Sequence, residues 1–162
     1  MRIRRGSVVV VRCAAVLAVS AAMYRLVVKP ELAAMVMLSV QGRYQRADKL
    51  DPRFGAAVAR ENLDALRGVA SVERLDPSWY LLYGTNCELL GLWGDAVNSY
   101  SRALLIDDRP EIYFNRGIAM LNLGRTDDAV NDLAVATRFD RTTLDQLEGH
   151  LRARVSDAAG PE

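Results

Sequence analysis

PSWYLLYGTNCELLGLWGDAVNSYSRALLIDDR, residues 77–109, is followed at once by a near copy, PEIYFNRGIAMLNLGRTDDAVNDLAVATRFD, residues 110–140. A shift of 33 residues aligns the two stretches without a gap. The identical pairs are Pro77 and Pro110, Tyr80 and Tyr113, Gly84 and Gly117, Leu90 and Leu123, Gly91 and Gly124, Asp95 and Asp128, Ala103 and Ala136, and Asp107 and Asp140, with Ala-Val-Asn at 96–98 and 129–131. A period of this length is typical of a stack of supersecondary units.

Each copy predicts two helices joined by a tight turn. Glycine inside a helix costs up to about 1 kcal/mol relative to alanine, yet Gly84 and Gly117 occupy the same interior position of the two first helices. This placement predicts that a neighbouring helix approaches closely there. Gly91 and Gly124 are predicted to end the first helices, because glycine readily adopts the left-handed conformation that closes a helix.

The second helices, expected over residues 96–106 and 129–139, show a small, large, small pattern, at Ala96, Tyr100 and Ala103 in the first copy and at Ala129, Leu133 and Ala136 in the second. Together with the glycines, this arrangement resembles the tetratricopeptide repeat (TPR), whose pattern is an aromatic residue, Leu-Gly, a second aromatic residue and later alanine. The resemblance covers residues 77–140. Arg116 and Leu133 depart from the pattern in the second copy. The resemblance implies an α-solenoid with a protein-binding role.

Each TPR unit leaves apolar faces that neighbouring segments must cover, so covers are expected on both sides of the two copies. The segment before Pro77 is expected to be either a degenerate TPR or a plain helical linker. In the degenerate unit, a first helix over residues 31–41 is followed by a turn at 42–47. The expected organisation is 1–29 basic segment and transmembrane helix or signal peptide, 30–76 linker or degenerate TPR, 77–109 and 110–141 the two TPR units, 142–155 a capping helix, and 156–162 a disordered tail.

The N-terminus begins with basic residues and continues as a long apolar run. Residues 7–28 would span about 33 Å as a helix, enough for a bilayer core. Three interpretations stay open: a single-pass anchor in a bacterial inner membrane with the repeats outside the cytoplasm, a cleaved signal peptide that leaves a secreted or periplasmic protein, and a buried soluble helix. Four arginines before Cys13 favour the anchor, whereas the position of Arg12 makes the span marginal.

The sequence offers little material for catalysis. His150 is the single histidine, and Cys13 and Cys87 lie in segments of different character, so neither a metal site nor a disulfide is predicted. The chain contains no glycine-rich phosphate loop and no Cys-x-x-Cys. A formal net charge of +1 provides no extended field for nucleic acid. We therefore expect no enzyme activity, no cofactor, no nucleic-acid partner and no small-molecule substrate.

The resemblance places the partner surface on the concave side of the solenoid, which the first helices line. The implied contact residues are Leu81, Thr85, Glu88 and Leu89 in the first unit and Phe114, Asn115, Ile118, Leu121 and Asn122 in the second. Asn115 matches a position where the family often uses asparagine to bond the backbone of a bound peptide. The alternative is that some of these residues pack against the helix before Pro77 and contact no partner.

The predicted function is a non-catalytic scaffold or assembly factor, tethered to a membrane through residues 7–28. Its partner would be a protein of a membrane or envelope complex. The alternative is a structural accessory subunit built permanently into a larger membrane protein complex. An enzyme would require an active site completed by another chain.

Overall fold

The computed structural model describes residues 18–47, 52–73 and 76–160. These ranges are almost entirely helical and hold no β-strand, which confirms the predicted all-α class. A π-helical turn, Tyr24–Val28, leads into α1 (Lys29–Ala47), which is followed by α2 (Pro52–Glu73), α3 (Pro77–Leu89), α4 (Trp93–Leu104), α5 (Pro110–Asn122), α6 (Thr126–Phe139), a 3-10 helix (Arg141–Gln146) and α7 (Gly149–Ala159).

The helices pack as consecutive pairs. Helix α1 packs against α2, α3 against α4, and α5 against α6, and the second helix of each pair contacts the first helix of the next. Helix α3 also contacts α1 and α5, the first helices on either side of it. The first helices of the three pairs therefore lie side by side.

Local signals in the sequence explain where α3 begins and ends. The Asp76 side chain accepts a hydrogen bond from the Ser78 backbone N–H at 2.8 Å, and proline occupies the first helical turn. At the other end, Gly91 has a φ of 68° and donates to the Glu88 carbonyl at 2.9 Å, while the Leu92 N–H donates to the Cys87 carbonyl at 2.9 Å. This is a Schellman motif, as glycine at this position predicts.

The same closure ends α5. Gly124 has a φ of 74° and donates to the Leu121 carbonyl, and the Arg125 N–H donates to the Met120 carbonyl, both at 2.9 Å. The turn between the two helices is thus identical in the two repeats.

The interior glycines allow the two helices of a repeat to approach closely. A Cβ added to Gly84 would overlap the ring of Tyr100, with Cζ at 2.7 Å, and Tyr100 is fully buried. A Cβ added to Gly117 would lie 2.8 Å from Cγ of Leu133. In each repeat, a bulky side chain of the second helix therefore fills the space that the missing side chain of the first helix leaves.

Buried polar contacts join α2 to the first repeat. The Asn62 side-chain amide donates to the Asn86 Oδ1 at 2.8 Å, and the Asn86 amide donates to the Leu82 carbonyl at 2.7 Å. Both asparagines are fully buried. The Trp79 indole N–H donates to the Leu66 carbonyl at 3.0 Å. Because buried polar groups need partners, these bonds fix the register between α2 and α3.

A charged pair joins the second repeat internally. The Arg116 guanidinium on α5 donates to both carboxylate oxygens of Asp132 on α6, at 2.6 and 2.8 Å, and to the Ser101 hydroxyl at 3.1 Å. The two side chains are 19% and 10% exposed. Arg116, which departs from the repeat pattern, therefore gains a carboxylate partner in place of an apolar contact.

The structure differs from the sequence prediction at residues 42–47, which continue α1 instead of forming a turn. Gly42 does not adopt a positive φ, unlike Gly91 and Gly124. Both observed turns lead into helices with an aspartate three or four residues after the glycine, whereas the equivalent positions after Gly42 are Gln45 and Arg46, which provide no acidic group for a new helix start.

The C-terminal segment also differs. The predicted continuous helix over 142–155 is a 3-10 helix followed by α7, and Leu147 and Glu148, both with extended backbone, separate the two. Residues 156–159, predicted to be disordered, belong to α7, and the Arg141 guanidinium donates to the Gly160 carbonyl at 2.6 Å. Burial of Val155 and this hydrogen bond hold the end of the helix in place.

The predicted single-pass location in a bacterial inner membrane is wrong. Within the described residues, no helix combines the length and the apolar character needed to cross a membrane. Residues 7–17 of the predicted span lie outside the described ranges. In the described part, Arg25, Lys29 and Glu31 interrupt the apolar run, which a spanning helix needs for about 20 residues. The predicted membrane contact through residues 7–28 is therefore not supported.

Adding a methyl group at Gly84 should separate the two helices of the first repeat. We expect Gly84→Ala to lower the free energy of unfolding by about 1–3 kcal/mol, because the Tyr100 ring must move within a filled core. Gly68→Ala is the matched control: apart from its chain neighbours and the adjacent backbone of α2, no atom lies within 4 Å of the added carbon, and alanine should stabilise α2 by about 0.5–1 kcal/mol. Urea unfolding followed by circular dichroism measures both values. Equal effects of the two variants would contradict the close approach.

Breaking the Arg116–Asp132 pair should destabilise the protein more than replacing both of its members. Asp132→Ala leaves a half-buried guanidinium without its carboxylate and should cost about 2–3 kcal/mol. Replacing both residues with methionine should cost less than the single change, since no charge is then left unpaired. A double substitution that is as destabilising as Asp132→Ala would show that the ion pair itself is required.

Candidate functional site

A groove of about 540 Å³ lies between the first helices of the three pairs. Its apolar surface is formed mainly by α1 and α3, through Ala34, Met37, Leu38, Leu81 and Leu82. Its polar lining consists of Gln41, Asp76, Ser78, Arg109 and Glu111. Clefts of this size with an apolar surface and a few polar groups are typical binding sites.

The polar rim carries fixed charges of both signs. The Arg109 Nε lies 2.9 Å from Asp107 Oδ2, and its Nη1 lies 3.3 Å from Glu111 Oε1. Asp76 is held in place by its capping bond at the start of α3. The N-terminal ends of α3 and α5 therefore position the charged groups of the rim, and these groups lie beside the apolar surface of the groove.

Helix α1 extends the apolar surface beyond the groove. Leu32, Met35 and Leu38 recur every three residues and are 49%, 66% and 69% exposed. Large exposed apolar groups in this number on one helix indicate an interaction surface. The sequence predicts a first helix in this segment but no partner-contacting residues on it. The exposed apolar positions of α1 could have been found from its helical spacing.

The contact residues predicted in the first repeat lie in three different environments. Leu81 lines the groove together with α1. Thr85 is buried and donates to the Leu82 carbonyl at 3.1 Å. Glu88 and Leu89 are half-buried toward the C-terminal end of α3, beyond the residues of that helix that line the groove.

The residues predicted in the second repeat lie away from this groove. Phe114, Ile118 and Leu121 pack, half-buried, against a C-terminal cluster formed by Val130, Leu133, Ala134, Leu147 and Val155. The Asn122 amide donates to the Ile118 carbonyl at 2.9 Å, and Asn115 is half-buried. Among the predicted residues, Leu81 is thus the one that the described structure places in the groove lining.

Glu88 is a carboxyl group in an unfavourable environment. Burial raises its pKa from 4.5 to about 7, and the neighbouring Tyr100 hydroxyl offsets part of that increase. Among the described residues, its buried Oε1 has no well-aligned hydrogen-bond partner. The charged form of this side chain therefore destabilises the folded protein.

The described residues include few candidates for a metal ligand or a reactive nucleophile. No group of three potential metal ligands occurs among them, and His150 is exposed. Cys87 is buried, and burial raises the pKa of its thiol to about 12. Because the thiolate is the reactive form, Cys87 is a poor nucleophile.

No protein-family model and no curated protein matches this sequence. Among solved structures, the chain is similar to PcrH in the crystal structure of PcrH in complex with the chaperone binding region of PopB, with a TM-score of 0.56 and 21% sequence identity. The match covers 79% of this chain and 94% of the PcrH chain. This similarity shows that the chain has a helical, TPR-like fold.

The environment of Glu88 predicts how stability depends on pH. Between about pH 4.5 and 7 the folded protein holds the Glu88 proton more tightly than the unfolded chain does, so the free energy of unfolding should fall as pH rises through this window. Glu88→Gln should remove that contribution and stabilise the protein at pH 8 by about 1–3 kcal/mol.

Urea unfolding at pH 4.5 and pH 8 measures the effect. Glu61→Gln, a change at an exposed position of α2, is the control. In this variant the free energy of unfolding should differ between pH 4.5 and pH 8 by the same amount as in the wild type. A Glu88→Gln variant with the wild-type pH dependence would exclude a buried carboxyl at this position.

Proposed function

We propose that this protein is a non-catalytic binding protein that holds an apolar segment of another protein in the groove between α1, α3 and α5. The observation that carries the proposal is the groove itself, with leucine and methionine side chains on its surface and fixed charges at its rim. A helical segment or an extended one can bury apolar side chains in such a groove while its backbone meets the polar rim.

The character of the groove favours an apolar segment over a charged one. The Arg109 guanidinium is paired with Asp107 and Glu111, so the positive charge at the rim is already neutralised. Leu38, by contrast, is 69% exposed and has its apolar surface available to a partner. Burial of such a surface contributes about 25 cal/mol per Å² and would be the main driving force for binding.

The similarity to PcrH supports the same type of role. PcrH was solved with the chaperone binding region of PopB bound to it, and the match extends over most of both chains. We infer by analogy that the present chain also binds a segment of a protein partner.

We also propose that residues 30–76 form a degenerate repeat whose first helix, α1, supplies one wall of the groove. Helix α1 packs against α2 as α3 packs against α4, and it contacts α3 as α5 does. The partner contacts predicted in the second repeat, around Phe114 and Asn115, stay a prediction. They would form a surface that is separate from the groove and lies next to the C-terminal cluster.

Selection of a random peptide library against the full chain, followed by binding assays with the selected peptides, tests the proposal. We expect selected peptides to be rich in apolar residues. Leu38→Glu should weaken their binding by about tenfold or more, because a charge then meets the apolar segment. Since Leu38 is 69% exposed, the change should leave folding intact.

Leu123→Glu is the matched control. Leu123 is 43% exposed in the turn between α5 and α6, outside the groove, and its substitution should not affect peptide binding. Selected peptides that bind the Leu38→Glu variant as tightly as the wild type would refute the groove assignment. Loss of binding with Phe114→Ala and Asn115→Ala instead would move the site to the second repeat.

A further inference from the structure

A second groove lies on the side of α3 that faces away from the groove between α1, α3 and α5, which is called the peptide groove below. Residues Trp79, Tyr80 and Tyr83 of α3 form the floor of this second groove, of about 450 Å³, and α4 forms one of its walls. This wall presents Asp95, Asn98 and Arg102. None of the residues that line the first groove lines this one.

Asp95, Asn98 and Arg102 lie along one face of α4, because spacings of three and four residues bring helical side chains onto the same side. All three are exposed. Asp95 and Arg102 are about 10 Å apart along the helix axis, too far to pair with each other. Neither forms an ion pair or hydrogen bond with another side chain in the described part of the structure.

We refer to Asp95, Asn98 and Arg102 as the α4 row. In order along the helix, it presents an acidic, an amide and a basic group.

The α4 row is complementary to itself when reversed. If a second copy of α4 lies antiparallel to the first about a two-fold axis near Asn98, Asp95 of each copy faces Arg102 of the other. The two Asn98 amides, which can both donate and accept, meet at the axis. An isologous interface requires this kind of self-complementarity.

We propose that the α4 row is a homodimer interface, in which two copies of this chain pack antiparallel through α4. The two Asp95–Arg102 pairs set the register of the two helices, and the two Asn98 amides meet between them. The formal net charge of +1 adds little repulsion between copies. Because the peptide groove lies on the opposite side of α3, dimerisation leaves it accessible, and this inference does not depend on the proposed function.

Sedimentation velocity of the full chain over a range of concentrations tests the interface. The wild type should form a dimer that weakens at high salt, because exposed ion pairs are screened. Asp95→Arg and Arg102→Asp each place like charges opposite one another twice, and each should raise the dissociation constant of the dimer about ten- to a hundredfold. Circular dichroism checks that the variants keep their helical content.

Mixing the two variants provides the decisive comparison. In a heterodimer of Asp95→Arg with Arg102→Asp, each contact again joins an arginine to an aspartate, so an equimolar mixture should dimerise about as well as the wild type. Asp145→Arg makes the same charge change as Asp95→Arg at an exposed position of the 3-10 helix and should leave the dissociation constant unchanged. A wild type that is monomeric at every concentration, single variants that dimerise normally, or a mixture that stays monomeric would each overturn the proposal.

Discussion

The close approach of two helices at a glycine is the constraint on which the rest of the structure depends. In the first repeat the Tyr100 ring occupies the space next to Gly84, and in the second repeat Leu133 does the same next to Gly117. The two contacts are equivalent positions of the repeat, but a ring and a branched aliphatic side chain fill them. What the fold requires is therefore a bulky group against a bare backbone, and the identity of that group can vary.

This contact determines which surfaces are left for binding. Because each first helix is held against its own second helix, its other side faces the neighbouring first helices, and the groove between α1, α3 and α5 results. The outward face of a second helix is free of this packing, which leaves the charged and apolar groups of α4 exposed. The two proposed interfaces are thus opposite sides of one helical stack.

Some local features of the fold were predictable from sequence, and others were not. The glycine turns at Gly91 and Gly124 depend on a few neighbouring residues, and they form as predicted. The continuation of α1 through Gly42 could not be predicted from a turn-like glycine alone, since the positions that carry aspartate after Gly91 and Gly124 are Gln45 and Arg46 here. The C-terminal break depends on the extended backbone of Leu147 and Glu148, which the apolar spacing around them does not reveal.

The candidate site was predictable only in part, because its shape depends on how distant segments pack. The family resemblance directs attention to the first helices, and Leu81 lines the groove between them. The contribution of Leu38 depends on how α1 packs beside α3, a contact between segments about 40 residues apart. Likewise, the contact of Phe114 with the C-terminal cluster depends on where α7 folds back, which no spacing within the repeat determines.

The most direct test of a binding groove between the first helices is methyl NMR of the full chain, titrated with a peptide selected for binding. The account predicts that the methyl signals of Met37, Leu38, Leu81 and Leu82 shift on binding, while those of Val130 and Val155 in the C-terminal cluster do not. Shifts confined to Ile118, Leu121 and the C-terminal cluster, with the methyl groups of α1 unchanged, would contradict it.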